Sequence, residues 1–432
     1  MSPPIELVVV ADDITGSLDT GVQFTRLETG VVVTVWPSFP SGDIPGIVVV
    51  DTESRHLSSD EARHRVEDVV HSACERGARL LYKKVDSTLR GNVGAELEGM
   101  LAASGRERLA FAPAYPRMGR TTIEGCQLVN GTPIDRTSFA VDLLNPLWTS
   151  SIPEIIAAQS RVAVAVRRPS QQAAEVDARI VVLDARSDEE LRAAARELLP
   201  QRDHWVFAGS AGFADALCRE MFQAPGFAGV TAADGHAARS GAGTGRRKAL
   251  VVVGSMSPAS LAQVNYAIES GVPAFPAPDL DSELPEDRAH RGRGDLLRST
   301  GRAFALGDVI ILRTTAAPRT GADNGDGLYR AMRFAERFGR LAREIAVQER
   351  PDAVVIFGGD TFIAMMRAFA IDALAPVEEI LPGVPASLTV TSGAEWRPRM
   401  FVSKAGGFGP PDVLVRILEH LGIEPGRNRG PR

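Results

Sequence analysis

The sequence predicts an α/β protein of two domains, each a mostly parallel sheet flanked by helices. Three observations lead there. The chain has 432 residues, and single cores stop growing at about 250–300 residues, so two domains are expected. Short runs of valine, isoleucine and leucine such as Ile5–Val10, Val31–Val35 and Gly46–Val50 have the continuous apolar character of strands buried on both faces. Between the runs come polar loops and stretches of helical periodicity, the order expected of βαβ units.

The first run ends in Ala11-Asp12-Asp13-Ile14-Thr15-Gly16. A strand therefore delivers adjacent carboxylates into a loop that opens a helix carrying Leu18, Val22, Phe24 and Leu27. One carboxylate can face a ligand while the other caps the helix. The third run leads to a second polar strand end, Asp51-Thr52-Glu53-Ser54-Arg55, and Ser59–Arg76 is an amphipathic helix. Arg79–Tyr82 reads as a strand feeding the loop Lys83-Lys84-Val85-Asp86-Ser87-Thr88-Leu89-Arg90-Gly91-Asn92, after which Val93, Leu97, Met100 and Leu101 mark a helix. Three cations beside a helix N-terminus suit an anion, and strand carboxyl ends are where open α/β sheets bind ligands. Leu109–Ala112 is a further strand. In the long segment after it, Asn130-Gly131 predicts a hairpin turn between Gln127–Val129 and Thr132–Ile134. Val162–Val166, Ile180–Leu183 and Trp205–Ala208 continue the strands, Glu189–Leu199 is a helix, and Gly209–Gly212 has the small residues of an anion loop at a helix start.

Residues 223–247 change to Gly, Ala, Ser, His and Arg with little periodicity and read as a linker. The domains are thus 1–222 and 248–425. In the second, Ala249–Val253, Asp308–Leu312 and Ala353–Phe357 are buried strands, residues 279–302 a charged surface excursion, and 424–432 a frayed tail. Two strands end in small-residue loops, Gly254-Ser255-Met256-Ser257 and Gly358-Gly359-Asp360-Thr361, and a third such loop is Gly406-Gly407-Phe408-Gly409. Such turns let backbone N–H groups and hydroxyls surround phosphates. Asp360 can hold Mg²⁺, which takes one or two carboxylates plus phosphate oxygens.

Other classes fall away. A net charge of −6 offers no footprint for nucleic acid or an anionic membrane. Cys74, Cys126 and Cys218 form no CxxC pair and read as reduced core residues, and the seven histidines show no ligand spacing. There is no leader-type N-terminus, no apolar run near the ~20 residues of a span, no P-loop and no GxGxxG after the first strand. A cytoplasmic protein is expected. One domain for a small polar anion and another for a phosphate-bearing ligand make phosphoryl transfer the economical reading, because it needs positioning and charge neutralisation rather than special covalent chemistry.

Ala11–Gly16, Lys83–Asn92, Gly119–Thr122 with Leu128–Gly131, Asp142–Pro146, Gly358–Thr361 and Lys404–Gly409 occur here in one order. Together they resemble the four-carbon acid sugar kinase family across nearly the whole chain. The resemblance implies a sugar-acid-binding N-terminal domain, a nucleotide-binding C-terminal domain, and ATP-dependent phosphorylation at the 4-hydroxyl of threonate, erythronate or a 3-oxo-tetronate. It implies that ATP meets Ser255 or Ser257, Gly358, Gly359, Asp360, Thr361 and Gly406. The acid sugar would meet Asp12, Asp13, Lys84, Asp86, Ser87, Arg90 and Asn130, with Arg90 and Lys84 on its carboxylate and Asp12, Asp13 or Asp86 as base. Two positions depart from the family: Ala405 replaces a serine, and Phe362 is bulkier than the expected small residue. A kinase for another sugar acid and a non-catalytic sensor of ATP and a sugar acid are the alternatives, and a homodimer is left open.

Overall fold

The computed structural model describes residues 5–27, 30–40, 46–142, 145–222, 247–278, 280, 286–314, 326–390 and 396–425. The chain divides into two compact units, Met1–Ala237 and Ala238–Arg432. Most of the segment read as a linker, and of the tail, lies outside the described residues.

The first unit contains β1 (Leu7–Ala11), α1 (Ile14–Gly21), β2 (Val31–Val35), β3 (Ile47–Asp51), α2 (Ser59–Glu75), β4 (Leu80–Lys84), α3 (Val93–Ser104) and β5 (Arg108–Ala112). A small antiparallel sheet follows, of β6 (Arg120–Ile123), β7 (Cys126–Val129) and β8 (Thr132–Pro133), turning at Asn130-Gly131 as the dipeptide predicts. Then come α4 (Ile152–Ala157), β9 (Val164–Arg167), β10 (Ile180–Leu183), α5 (Asp188–Leu198), β11 (Trp205–Gly209) and α6 (Ala211–Met221). The main sheet runs β2-β3-β1-β4-β11-β5-β10-β9, and every pairing in it is parallel. Strand order reverses between β1 and β4, which makes their carboxyl ends the ligand crevice of this topology. The valines of β1 and β3 are buried to a residue, because helices cover both faces.

The second unit contains β12 (Ala249–Val253), α7 (Pro258–Glu269), β13 (Ala274–Pro276), α8 (Glu286–Leu306), β14 (Val309–Arg313), α9 (Asp326–Glu349), β15 (Ala353–Phe357) and α10 (Gly359–Ala368), followed by β16 (Ala373–Leu381), β17 (Val384–Thr389), β18 (Met400–Lys404) and α11 (Val413–His420). Its strands order β13-β14-β12-β15-β18-β17-β16. The first five are parallel, whereas β17 runs antiparallel to β18 and to β16. Here the reversal lies between β12 and β15.

Four expectations need correction. The charged stretch 279–302 is largely helix, since Leu296, Thr300 and Phe304 recur every fourth residue and are buried. The lysines of the Lys83–Asn92 loop belong to β4, which pairs with β1 as far as Ala11 opposite Lys84. Of the cysteines only Cys218 is a core residue; Cys74 is exposed and Cys126 half-buried. Gly209–Gly212 is a helix cap filled by its own neighbours: Ser210 donates to the Ala114 carbonyl at 2.6 Å and accepts from Gly212, and Tyr82 donates to the Ser210 carbonyl.

Candidate functional site

At the β1/β4 crevice the two adjacent aspartates divide their work. Asp13 is the N-cap of α1, accepting from the Gly16 amide at 3.0 Å, from Thr15 Oγ1 at 2.5 Å and from Arg55 at 2.7 Å. Burial works to raise its pKa, but the Arg55 and Lys84 charges and the Thr15 bond hold it below the ordinary value. Asp12 Oδ2 accepts from Arg55 Nε at 2.6 Å, while its Oδ1 is buried with no hydrogen-bond partner among the described residues. Arg55 thus spans both carboxylates. At the end of β3 the Asp51 carboxyl is fully buried, and burial pushes its pKa well above the usual range.

The two lysines of β4 part company because successive strand residues face opposite sides of the sheet. Lys83 Nζ is sealed against Glu96 of α3 at 2.9 Å, and donates to the Lys84 carbonyl. Glu96 in turn accepts from Ser54 Oγ, and the Ser54 and Thr52 hydroxyls lie 2.7 Å apart. This wholly buried chain ties the Asp51–Arg55 segment to α3. Lys84 Nζ lies on the α1 side: a Cβ added to Gly16 would stand 2.6 Å from it and 2.7 Å from Asp13 Oδ1, so a side chain there would displace the ammonium or the Asp13 cap. No hydrogen bond holds Lys84 Nζ among the described residues.

Beyond β4, Asp86 accepts from Arg90 Nε at 2.6 Å and Thr88 at 2.5 Å. Burial opposes its ionisation, yet the Arg90 and Arg55 charges hold its pKa far below the carboxylate range. Arg90 also reaches Asp142 at 3.2 Å and lies over the Phe139 ring at 5.6 Å. Leu89 in this loop and Glu53 in the Asp51–Arg55 loop take left-handed backbone conformations that side chains rarely adopt, a strain typical of ligand-holding segments. The Ser87 carbonyl accepts from Gln127 of β7 at 2.8 Å, which ties the small sheet to this loop. Asn130 sits exposed at the tip of that sheet against Gly119; no described hydrogen bond joins it to the aspartate cluster.

In the second unit three loops meet at the carboxyl ends of β12, β15 and β18. Ser257 caps α7 and Gly358 caps α10, the latter with φ +109°. Ser260 Oγ lies 3.0 Å from Ser255 Oγ and 3.1 Å from the Gly406 carbonyl oxygen, either of which can accept its proton, and Ser257 Oγ donates to that carbonyl. A Cβ on Gly406 would stand 2.3 Å from Ser255 Oγ, and the Thr361 hydroxyl lies directly on Gly254. Four hydroxyls and two helix N-termini thus converge on bare backbone, the arrangement that holds phosphate oxygens. Asp360 is exposed in the first turn of α10. Among the described residues no three acidic, His or Cys side chains gather to hold a metal, so a lone Asp360 fits a cation brought in by phosphates rather than one held by the protein.

Comparison with known proteins agrees with this division. A model described as a sugar-binding N-terminal domain matches residues 7–217, and one described as a nucleotide-binding C-terminal domain matches 250–414. The D-threonate kinase of Salmonella typhimurium is 32% identical over 96% of this chain and 98% of its own. The chain belongs to the four-carbon acid sugar kinase family. The D-erythronate kinase of Heliobacterium modesticaldum is 25% identical over 96% of this chain and 97% of its own. A solved structure from Salmonella typhimurium LT2, 20% identical, shares the fold with a TM-score of 0.72 over 96% of this chain and 98% of that one.

For a four-carbon acid sugar kinase, sequence reasoning left out Arg55, Glu96 and Ser260. The loop that carries Arg55 was legible as a polar strand end, but nothing local says that its guanidinium returns to Asp12 and Asp13. Phe362, a departure from the family, is fully buried with its ring 5.8 Å from Phe401, so its bulk goes into the core behind the loop. No helix among the described residues is long and apolar enough to cross a membrane.

Proposed function

We propose that this chain is an ATP-dependent kinase that phosphorylates the 4-hydroxyl of threonate, erythronate or a 3-oxo-tetronate, acting in the cytoplasm. One observation carries the reading: a buried carboxylate oxygen with no partner, Asp12 Oδ1, shares its crevice with Lys84, a cation that no described hydrogen bond engages. The pair suits a substrate with a hydroxyl at one end and a carboxylate at the other. Lys84 pairs with the carboxylate. Asp12 Oδ1 accepts the hydroxyl proton as the oxygen attacks the γ-phosphorus and the bond to the β–γ bridging oxygen breaks, releasing ADP. Arg55 fixes the Asp12 carboxylate by donating from Nε to Oδ2. Arg90 was expected on the substrate carboxylate, but its guanidinium already has Asp86 and Asp142; in this reading it shapes the loop, and Ser87 and Asn130 are the hydroxyl contacts. Asp13 and Asp86 are engaged by cap and ion-pair bonds, which leaves Asp12 as base. Ser255, Ser257, Gly358, Gly359, Thr361 and Gly406 cradle the phosphates. Mg²⁺, carried on ATP, would neutralise phosphate charge beside Asp360.

The test is a coupled ADP-release screen over tetronates, 3-oxo-tetronates, glycerate and longer aldonates. ADP release with a single tetronate class is expected. Release only with longer acids would move the substrate assignment. ATP binding with no release from any acid would leave a sensor.

A further inference from the structure

Lys404 stands outside everything assigned so far. It ends β18, it is fully buried, and its Nζ has no hydrogen-bond partner among the described residues. The ammonium lies 5.0 Å from the Phe357 ring centroid and 5.1 Å from that of Phe408. Those two aromatics adjoin the phosphate-type loops: Phe357 immediately precedes Gly358, and Phe408 follows Gly406-Gly407. The Lys404 carbonyl also accepts from the Gly358 amide at 3.1 Å, so one residue touches both loops.

A buried ammonium without hydrogen bonds is costly, and two cation–π contacts offset only part of that cost. A methionine would fill the same volume without it. Burial pulls the Lys404 pKa down to about 7. Burial is the cause, with no charged group acting on it; the polar side chains of the loop and helix that meet the Gly406 turn are Ser255, Ser257, Ser260 and Gln263, the last engaged with the Phe408, Gly409 and Pro410 carbonyls. An anion brought beside the amine would therefore favour its protonated form.

Resting on the nucleotide reading of this unit, we propose that Lys404 is the polyphosphate-sensing cation of the nucleotide site, taking up a proton as the phosphates bind. It distinguishes nucleoside polyphosphates from the bare nucleoside, because only the former supply the anion that stabilises the ammonium. The hydroxyls and glycines around it provide shape; Lys404 provides charge.

The experiment measures binding of ADP and of adenosine to the full chain by calorimetry across pH. For the unaltered protein, ADP affinity is expected to weaken by up to about tenfold per pH unit above the amine's pKa, since each binding event then needs a proton. Adenosine affinity should stay flat. Lys404→Met should bind ADP about ten- to a hundredfold more weakly with a flat pH profile, and adenosine as before, which also reports that the variant is folded. Lys404→Gln is the second variant should Met pack badly. ADP affinity of the unaltered protein that is level or rises with pH would overturn the proposal without any variant. Equal ADP affinity of Lys404→Met and the unaltered protein would do the same while leaving the nucleotide reading intact. Absence of binding by the unaltered protein to either ligand would sink both.

Discussion

The two units place their ligand loops at the same topological point and then furnish them in opposite ways. In each, strand order reverses beside the first strand of the unit, at β1/β4 in one and β12/β15 in the other. The first crevice is filled by fixed charge: Asp12, Asp13, Asp86, Arg55, Arg90 and Lys84, nearly all in pairs. The second is filled by hydroxyls, glycines and helix N-termini. On the proposed function, the difference follows from what each would hold. A small acid with several hydroxyls needs directional partners on side chains that cannot move. A polyphosphate presents many equivalent oxygens, which backbone amides satisfy without geometric specialisation.

The comparison breaks most sharply at Asp12. If the first crevice is the chemical one, Asp12→Asn should cut kcat by about 10²–10⁴-fold and leave ATP affinity unchanged. Near-normal turnover in a steady-state assay would remove Asp12 as base and reopen Asp86.

Next comes the pair of adjacent lysines. Lys83→Met leaves Glu96 buried and uncompensated, which should cost about 3–5 kcal/mol in urea unfolding, and Lys83→Met with Glu96→Leu should recover most of it. Lys84→Met should leave stability nearly unchanged but raise KM for the acid about tenfold or more. If both single variants lost stability equally, the division between a structural and a ligand-facing lysine would be wrong.

These lysines also mark the limit of what could be read beforehand. The alternation of apolar runs and polar loops carried the fold, because burial on both faces leaves a signature in composition. The loops that bear Asp12, Asp86, Ser255, Gly358 and Gly406 were legible for the same reason: each follows a strand or opens a helix. Partnership across the chain was not legible. Lys83 and Lys84 are chemically identical neighbours, and only the end of β4 and the position of Glu96 decide which faces the crevice. Arg55 reaches Asp12 across 43 residues, and no local spacing encodes that. The strand pair β16 and β17 was missed although Pro382-Gly383 stands at its turn, where Gly383 takes φ +74°; its flanks are too short of strict alternation to stand out.

A smaller effect separates two buried carboxyls of the first unit by sign. The Asp86 pKa is lowered by folding, so its contribution is present above the ordinary value near 4 and is lost as pH falls through the folded one. The Asp51 pKa is raised, so its contribution is full below that ordinary value and disappears as pH rises through the folded one. Thermal unfolding at neutral pH should therefore show Asp86→Asn less stable and Asp51→Asn as stable or more. The same direction for both would mean that the hydrogen bonds of Asp51, including the one it accepts from the Glu53 amide at 2.9 Å, outweigh its burial.

The smallest difference compares two serine caps. Ser58 caps α2 through a reciprocal pairing with Glu61, in the first unit and away from the aspartate cluster. Ser257 caps α7 and also donates to the Gly406 carbonyl. Removing either hydroxyl should cost about 1 kcal/mol of stability, the usual value of an N-cap. Only Ser257→Ala should also weaken ATP binding, because it frees the Gly406 turn that Ser255, Ser257 and Ser260 jointly hold. Calorimetric titration of both variants with ATP separates the two roles. If Ser257→Ala binds ATP as tightly as Ser58→Ala, the serine is a cap and nothing more, and the phosphate cradle is made by backbone alone.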